Sequence, residues 1–284
     1  MQSSNPVFRK ADGFNGRSQT YPASGMTYPA YGAPTQTDPY RQQQAPIYGD
    51  TATGGRMTID TVVQKSGITL GLVVLTAAAT WLLTPAPGAL NAGVLYLLLM
   101  VGAFGGFALS LVNSFKRIIS PGLVIAYAIL EGLFVGAFSK VIDATFGGGE
   151  HGIVVGAVAG TFAAVAGTLA AYKFFDIKVG QRFRTWVIGA MFGFVALSLL
   201  DLVLSFFGSS FGFNGFGTMG LVSSLIGLGL GVLMLILDFD FVERGIEAGL
   251  PERESWRAAF GLTVTIIWIY IELLRILAIL RGSD

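Results

Sequence analysis

Residues 217–242 read GTMGLVSSLIGLGLGVLMLILDFDFV, and no charged side chain appears before Asp238. A helix needs about 20 consecutive apolar residues to cross the hydrocarbon core of a bilayer, so this block is long enough. Six more blocks of similar kind flank it, at about 66–84, 88–112, 120–143, 152–175, 184–207 and 258–280. Turn signals separate them: TPAPG at 84–88, SPG at 120–122, FGGGE at 146–150 and FGSSFGFNGFG at 207–217. Lipid offers no partner to a free backbone amide, so each block is expected to be a helix. The fold class is therefore all-α: a polytopic membrane protein built as a seven-helix bundle, over residues 58–284.

Composition agrees. Hydrophobic residues make up 53% of the chain and charged residues 12%, about half the charge of an ordinary soluble domain. The mean hydropathy is +0.66. A net charge of +1 gives no reason to expect nucleic acid as a partner. Residues 1–57 differ: the run TYPASGMTYPAYGAPTQTDPYRQQQAPIYGD has no apolar period. Such a segment buries too little apolar surface to offset its ordering entropy, and is expected to be a disordered cytoplasmic tail. No secretory signal is read at its start. Thr58 is placed to cap the first helix.

Lysine and arginine fall mainly on one side of the seven blocks. Arg56, Lys65, Lys116, Arg117, Lys173, Lys178, Arg182, Arg184, Arg244, Arg253 and Arg257 share it, against Lys140 and Arg281 on the other. The positive-inside rule then puts the N-terminus in the cytoplasm and the C-terminus outside, in a cell-membrane protein. Pairs of glycines one turn apart let helices approach closely. They occur at Gly67/Gly71, Gly102/Gly106, Gly132/Gly136, Gly156/Gly160, Gly189/Gly193 and Gly227/Gly231. In a chain with 39 glycines, chance accounts for some of these.

The inventory argues against an enzyme. There is no cysteine, and His151 is the one histidine, which leaves no zinc set and no nucleophile–base pair at a common depth. No cofactor is expected. What remains is ionisable groups in or near the bilayer, which are costly and mark function by default. They are Glu131 in the third block, Asp201 in the fifth, Asp238 and Asp240 in the sixth, and Glu272 with Arg275 in the seventh. Each has a bland alternative: Glu272 and Arg275 neutralise each other, Asp201 snorkels outward, and Asp240 is solvated at the end of its helix. Residues two apart on a helix point about 200° apart. Asp238 and Asp240 therefore cannot pair, and Asp238 needs a partner from another helix. Lys116 and Arg117 lie at its depth.

The stretches SPGLVIAYAILEGLFVG at 120–136, LDFDF at 237–241 and WIYIELLRILAIL at 268–280 resemble the Bax inhibitor (YccA-like) transmembrane family, in a bacterial branch with an N-terminal extension. That resemblance implies a seventh helix running through the centre of the other six. It also implies a pH-sensitive calcium leak in which two aspartates, on the sixth and seventh helices, share a proton and a basic residue on the second latches one of them. Asp238 matches the first aspartate, and Arg117, or Lys116 beside it, matches the latch by position. Aligning LLRIL puts Thr265 where the second aspartate belongs, whereas aligning YIE selects Glu272. Depth favours Thr265, about 10 Å from the helix end nearest Asp238, over Glu272, about 21 Å away. The expected function is a cation leak with Asp238 in an inner acidic and basic latch, and with Glu131, Glu272, Arg275 and Asp201 along a deeper polar track. Calcium enters as the permeant ion, not as a bound metal. The alternative is a membrane interaction protein that modulates another complex, such as a quality-control protease.

Overall fold

The structure, a computed structural model, describes residues 55–147, 152–175 and 177–282. Most of the tail read at 1–57, and His151, lie outside the described residues. Among the described residues the regular elements are seven helices: α1 (Ile59–Leu83), α2 (Gly93–Phe115), α3 (Pro121–Phe146), α4 (Gly152–Phe174), α5 (Gln181–Phe206), α6 (Thr218–Glu247) and α7 (Glu254–Gly282). All seven are long and apolar enough to cross a bilayer.

Local chemistry sets the helix ends. Thr58 caps α1 in a reciprocal box: its hydroxyl accepts from the Thr61 amide, and the Thr61 hydroxyl accepts from the Thr58 amide. This box starts α1 several residues before the apolar block at 66–84. Pro121 opens α3, where its missing N–H costs nothing. The sixth helix corrects the sequence reading. It does not stop at 238–242 but continues to Glu247. Gly249, at φ +63°, then turns the chain, and the Leu250 amide bonds back to the Gly245 carbonyl. A left-handed glycine just past the last turn is the common way to end a helix. Asp238 and Asp240 thus sit inside α6, not at its end.

The helices alternate in direction, so one end of the bundle gathers the start of α1, the α2–α3 and α4–α5 connections and the α6–α7 turn. This is the basic end. Helix α7 is central. It packs on α1, α3, α4 and α6, and 67% of its apolar window is buried, against 17% to 44% for the others. Its buried residues, among them Ala259, Leu262, Ile269, Leu274 and Ala278, cover all sides, as expected of a helix with no outward face. Helix α2 packs on α3, and α5 packs on α6. Four of the six glycine pairs lie at such contacts. A methyl at Gly102 would meet Phe134, one at Gly136 would meet Ala77, one at Gly156 would meet Leu277 and one at Gly231 would meet Ile269. Gly67/Gly71 and Gly189/Gly193 have open space around them.

Candidate functional site

Helix α7 carries Gly261, Thr265, Trp268, Glu272 and Arg275 at spacings of four, three, four and three. Such spacing puts them on one face, and that face meets α6. The contact is close because α6 presents glycine there. A methyl at Gly231 would lie 2.8 Å from Ile269 Cγ1, and one at Gly227 would lie 2.6 Å from Glu272 Oε1. Polar side chains therefore sit where two backbones nearly touch.

At the basic end of this seam, Thr265 Oγ1 donates to Asp238 Oδ2 at 2.6 Å. One turn below, a methyl at Gly261 would lie 3.3 Å from Asp238 Oδ1, so the missing side chain makes room for the carboxylate. The partner of Asp238 is a hydroxyl from α7. The structure brings neither Lys116 nor Arg117 to it, which corrects the expected latch. Those two residues instead offer backbone carbonyls to Arg257 at the start of α7.

Asp240 reverses its expectation as well. It is buried, and it holds two guanidinium groups: Arg184 Nη2 at 2.7 Å from Oδ2 and Arg244 Nη2 at 2.8 Å from Oδ1. Arg244 Nη2 also donates to the Val179 carbonyl. The 200° between successive odd or even positions explains the division. Asp238 points at α7 and Asp240 points at α5. The sequence reading named Arg184 and Arg244 only as topology signals. That α5 flanks α6 was not legible in it.

At the other end of the seam Arg275 Nη1 reaches Glu272 Oε2 at 3.2 Å, and Arg275 Nη2 donates to the Phe213 carbonyl at 3.0 Å. A cavity of about 300 Å³ adjoins the pair, walled by Phe138, Phe194, Trp268 and Ile271. Asp201 does not snorkel outward. It is buried, and its two oxygens accept from the Phe211 and Asn214 amides, fixing the α5–α6 loop. Glu131 lies elsewhere: it faces α2, where a methyl at Gly106 would come 2.6 Å from Oε2. The single track expected to join Glu131 with Glu272 and Arg275 is therefore divided between two interfaces. Among the described residues no group of three or more acids and histidines converges as a metal cage.

Sequence reasoning also passed over Trp268, whose Nε1 donates to the Gly227 carbonyl at 2.9 Å, and counted Lys140 only for topology, whereas its ammonium reaches the carbonyls of Trp81 and Thr84 at the end of α1. Trp268 carried a usable signal, since it lies between Thr265 and Glu272 on one helical face.

Comparison with known proteins gives two findings. A family model described as Bax inhibitor 1 like matches residues 5–282, a span that takes in most of the segment before α1. An uncharacterized protein of Chlamydia muridarum (strain MoPn / Nigg) is 30% identical over 162 residues, which cover 55% of this chain and 64% of that protein.

Proposed function

The chain belongs to the Bax inhibitor 1-like family, and on that premise we propose that it is a cation leak through the membrane, gated where α6 meets α7. The observation that carries this reading is the Thr265–Asp238 hydrogen bond at 2.6 Å between the two helices. An acid at that place can do two things. Its charge offers a passing cation a partner, and its bond to Thr265 holds the seam closed. Calcium is the ion that the family resemblance suggests. The excess of Lys and Arg at the gate's end of the bundle favours a cytoplasmic gate.

The two roles separate by mutation. Asp238→Asn keeps an acceptor for Thr265 and removes the charge, so calcium flux into proteoliposomes falls several-fold. Thr265→Val keeps the charge and removes the bond, so the seam parts more easily and flux rises. Equal flux from wild type and both variants at every pH would show that this contact gates nothing.

A further inference from the structure

We propose that the Trp268 indole is a plug dividing the α6–α7 seam, so that a cation passes only when the ring is displaced. The inference rests on the leak reading and names the barrier within it.

Trp268 stands three residues beyond Thr265 and four before Glu272 on the shared face of α7. On one side of it is the Asp238–Thr265 pair. On the other is the Glu272–Arg275 pair and its cavity of about 300 Å³. The ring itself stands between them. Its Nε1 donates to the Gly227 carbonyl at 2.9 Å, and a methyl at Gly231 would lie 3.1 Å from its Cδ1. It therefore meets the glycine strip of α6 by its Nε1–Cδ1 edge. Phe194 of α5 meets it edge-on, with centroids 5.6 Å apart at 67°, and Phe194 is held in turn by Phe213 at 5.0 Å. The Gly227 carbonyl is taken by the indole N–H, so a cation here meets two aromatic rings and a glycine floor with no free acceptor between the polar pairs. A cation entering such a place sheds water without replacement, which is costly, and apolar constrictions close pores by excluding water.

Nε1 makes one neutral hydrogen bond, to the Gly227 carbonyl, and Phe194 adds one ring contact. The cavity beside it shares the indole as a wall, so the ring has somewhere to turn. The side chain is thus placed to block and has room to turn, while the polar pairs on either side stay in place.

The chain has no cysteine, so one introduced thiol reports alone. Gly261→Cys places it beside Asp238, on that side of the ring, and leaves the Thr265 hydroxyl in place. Silver ion is applied to the Arg275 face of proteoliposomes, and the thiols left unreacted are then counted with a maleimide. With Trp268 present the introduced thiol stays protected from that face. With Trp268→Ala it reacts at least ten-fold faster. With Trp268→Phe, which keeps a ring over Gly231, protection remains and shows that the fold is intact. Equal reaction from the Arg275 face with and without the indole would overturn the plug. Calcium flux measured alongside separates the two claims. If Asp238→Asn lowers flux but protection ignores Trp268, the plug alone is wrong. If protection follows Trp268 while Asp238→Asn leaves flux unchanged, the barrier stands and the leak gate fails.

Discussion

Asp238 and Asp240 are two residues apart and face opposite neighbours, one a lone hydroxyl and the other two guanidinium groups. Their mutants should diverge. Arg184→Met leaves the buried Asp240 carboxylate with Arg244 alone. A buried charged group that loses a partner costs about 1–3 kcal/mol, so unfolding in detergent shifts down in temperature while flux per folded molecule stays unchanged. Thr265→Asp does the reverse. It sets a second carboxylate against Asp238, and like charges so close cannot both ionise freely. Flux in this variant should follow a different pH profile from the wild type, read by the same calcium assay at stepped pH. That Asp238 turns inward was legible from depth and helical angle. That Thr265 stands across from it was legible through the family resemblance, which put Thr265 in place of the second aspartate; that no basic residue joins them was not, because sequence order says little about which helix ends up beside α6.

At the scale of the helix, glycine decides how near two axes come. A methyl at Gly136 would run into the Ala77 carbonyl oxygen, whereas one at Gly189 meets nothing within 4 Å. Overpacking a close contact costs about 1–3 kcal/mol, and Gly to Ala on an open helix face gains about 0.5–1 kcal/mol. Gly136→Ala should therefore lower the thermal midpoint and Gly189→Ala should hold or raise it. A fall for both would mean that α5 has a neighbour at Gly189. The seven spans were readable because lipid demands long apolar helices. Their ends were less so: Glu243, Arg244 and Glu247 still belong to α6, since polar residues extend a helix beyond the bilayer as easily as they end it. The glycine pairs all looked alike in sequence, because the spacing records the capacity for close approach and not the presence of a partner.

Across the whole molecule the basic end is tied together by the turn between α6 and α7. Met57 N donates to the Leu250 carbonyl and Glu252 N to the Gly55 carbonyl, while Lys65 Nζ meets Glu252 Oε1 at 2.8 Å. The hydrogen bond from Lys65, and then its charge, hold the Glu252 carboxyl below the 4.5 of an ordinary glutamate. A lowered folded-state value means that the folded chain binds the proton less readily than the unfolded one. The pair's contribution is complete above pH 4.5 and is lost as pH falls through the lowered value. Glu252→Gln should thus lower the thermal midpoint at neutral pH and flatten its decline in that acidic window; an unchanged acid profile would show that the clasp does not hold the turn. The turn leads straight into α7, and α7 running through the centre makes its contact with α6 the joint on which the gating account depends. Locking that joint is the decisive measurement. Gly231 lies against Ile269, so Gly231→Cys with Ile269→Cys places two thiols across the seam in a chain with no other cysteine and leaves Asp238 untouched. Calcium should flow through the reduced protein, stop on oxidation and return with a reductant. Equal flux from the cross-linked and reduced forms would contradict gating at this joint.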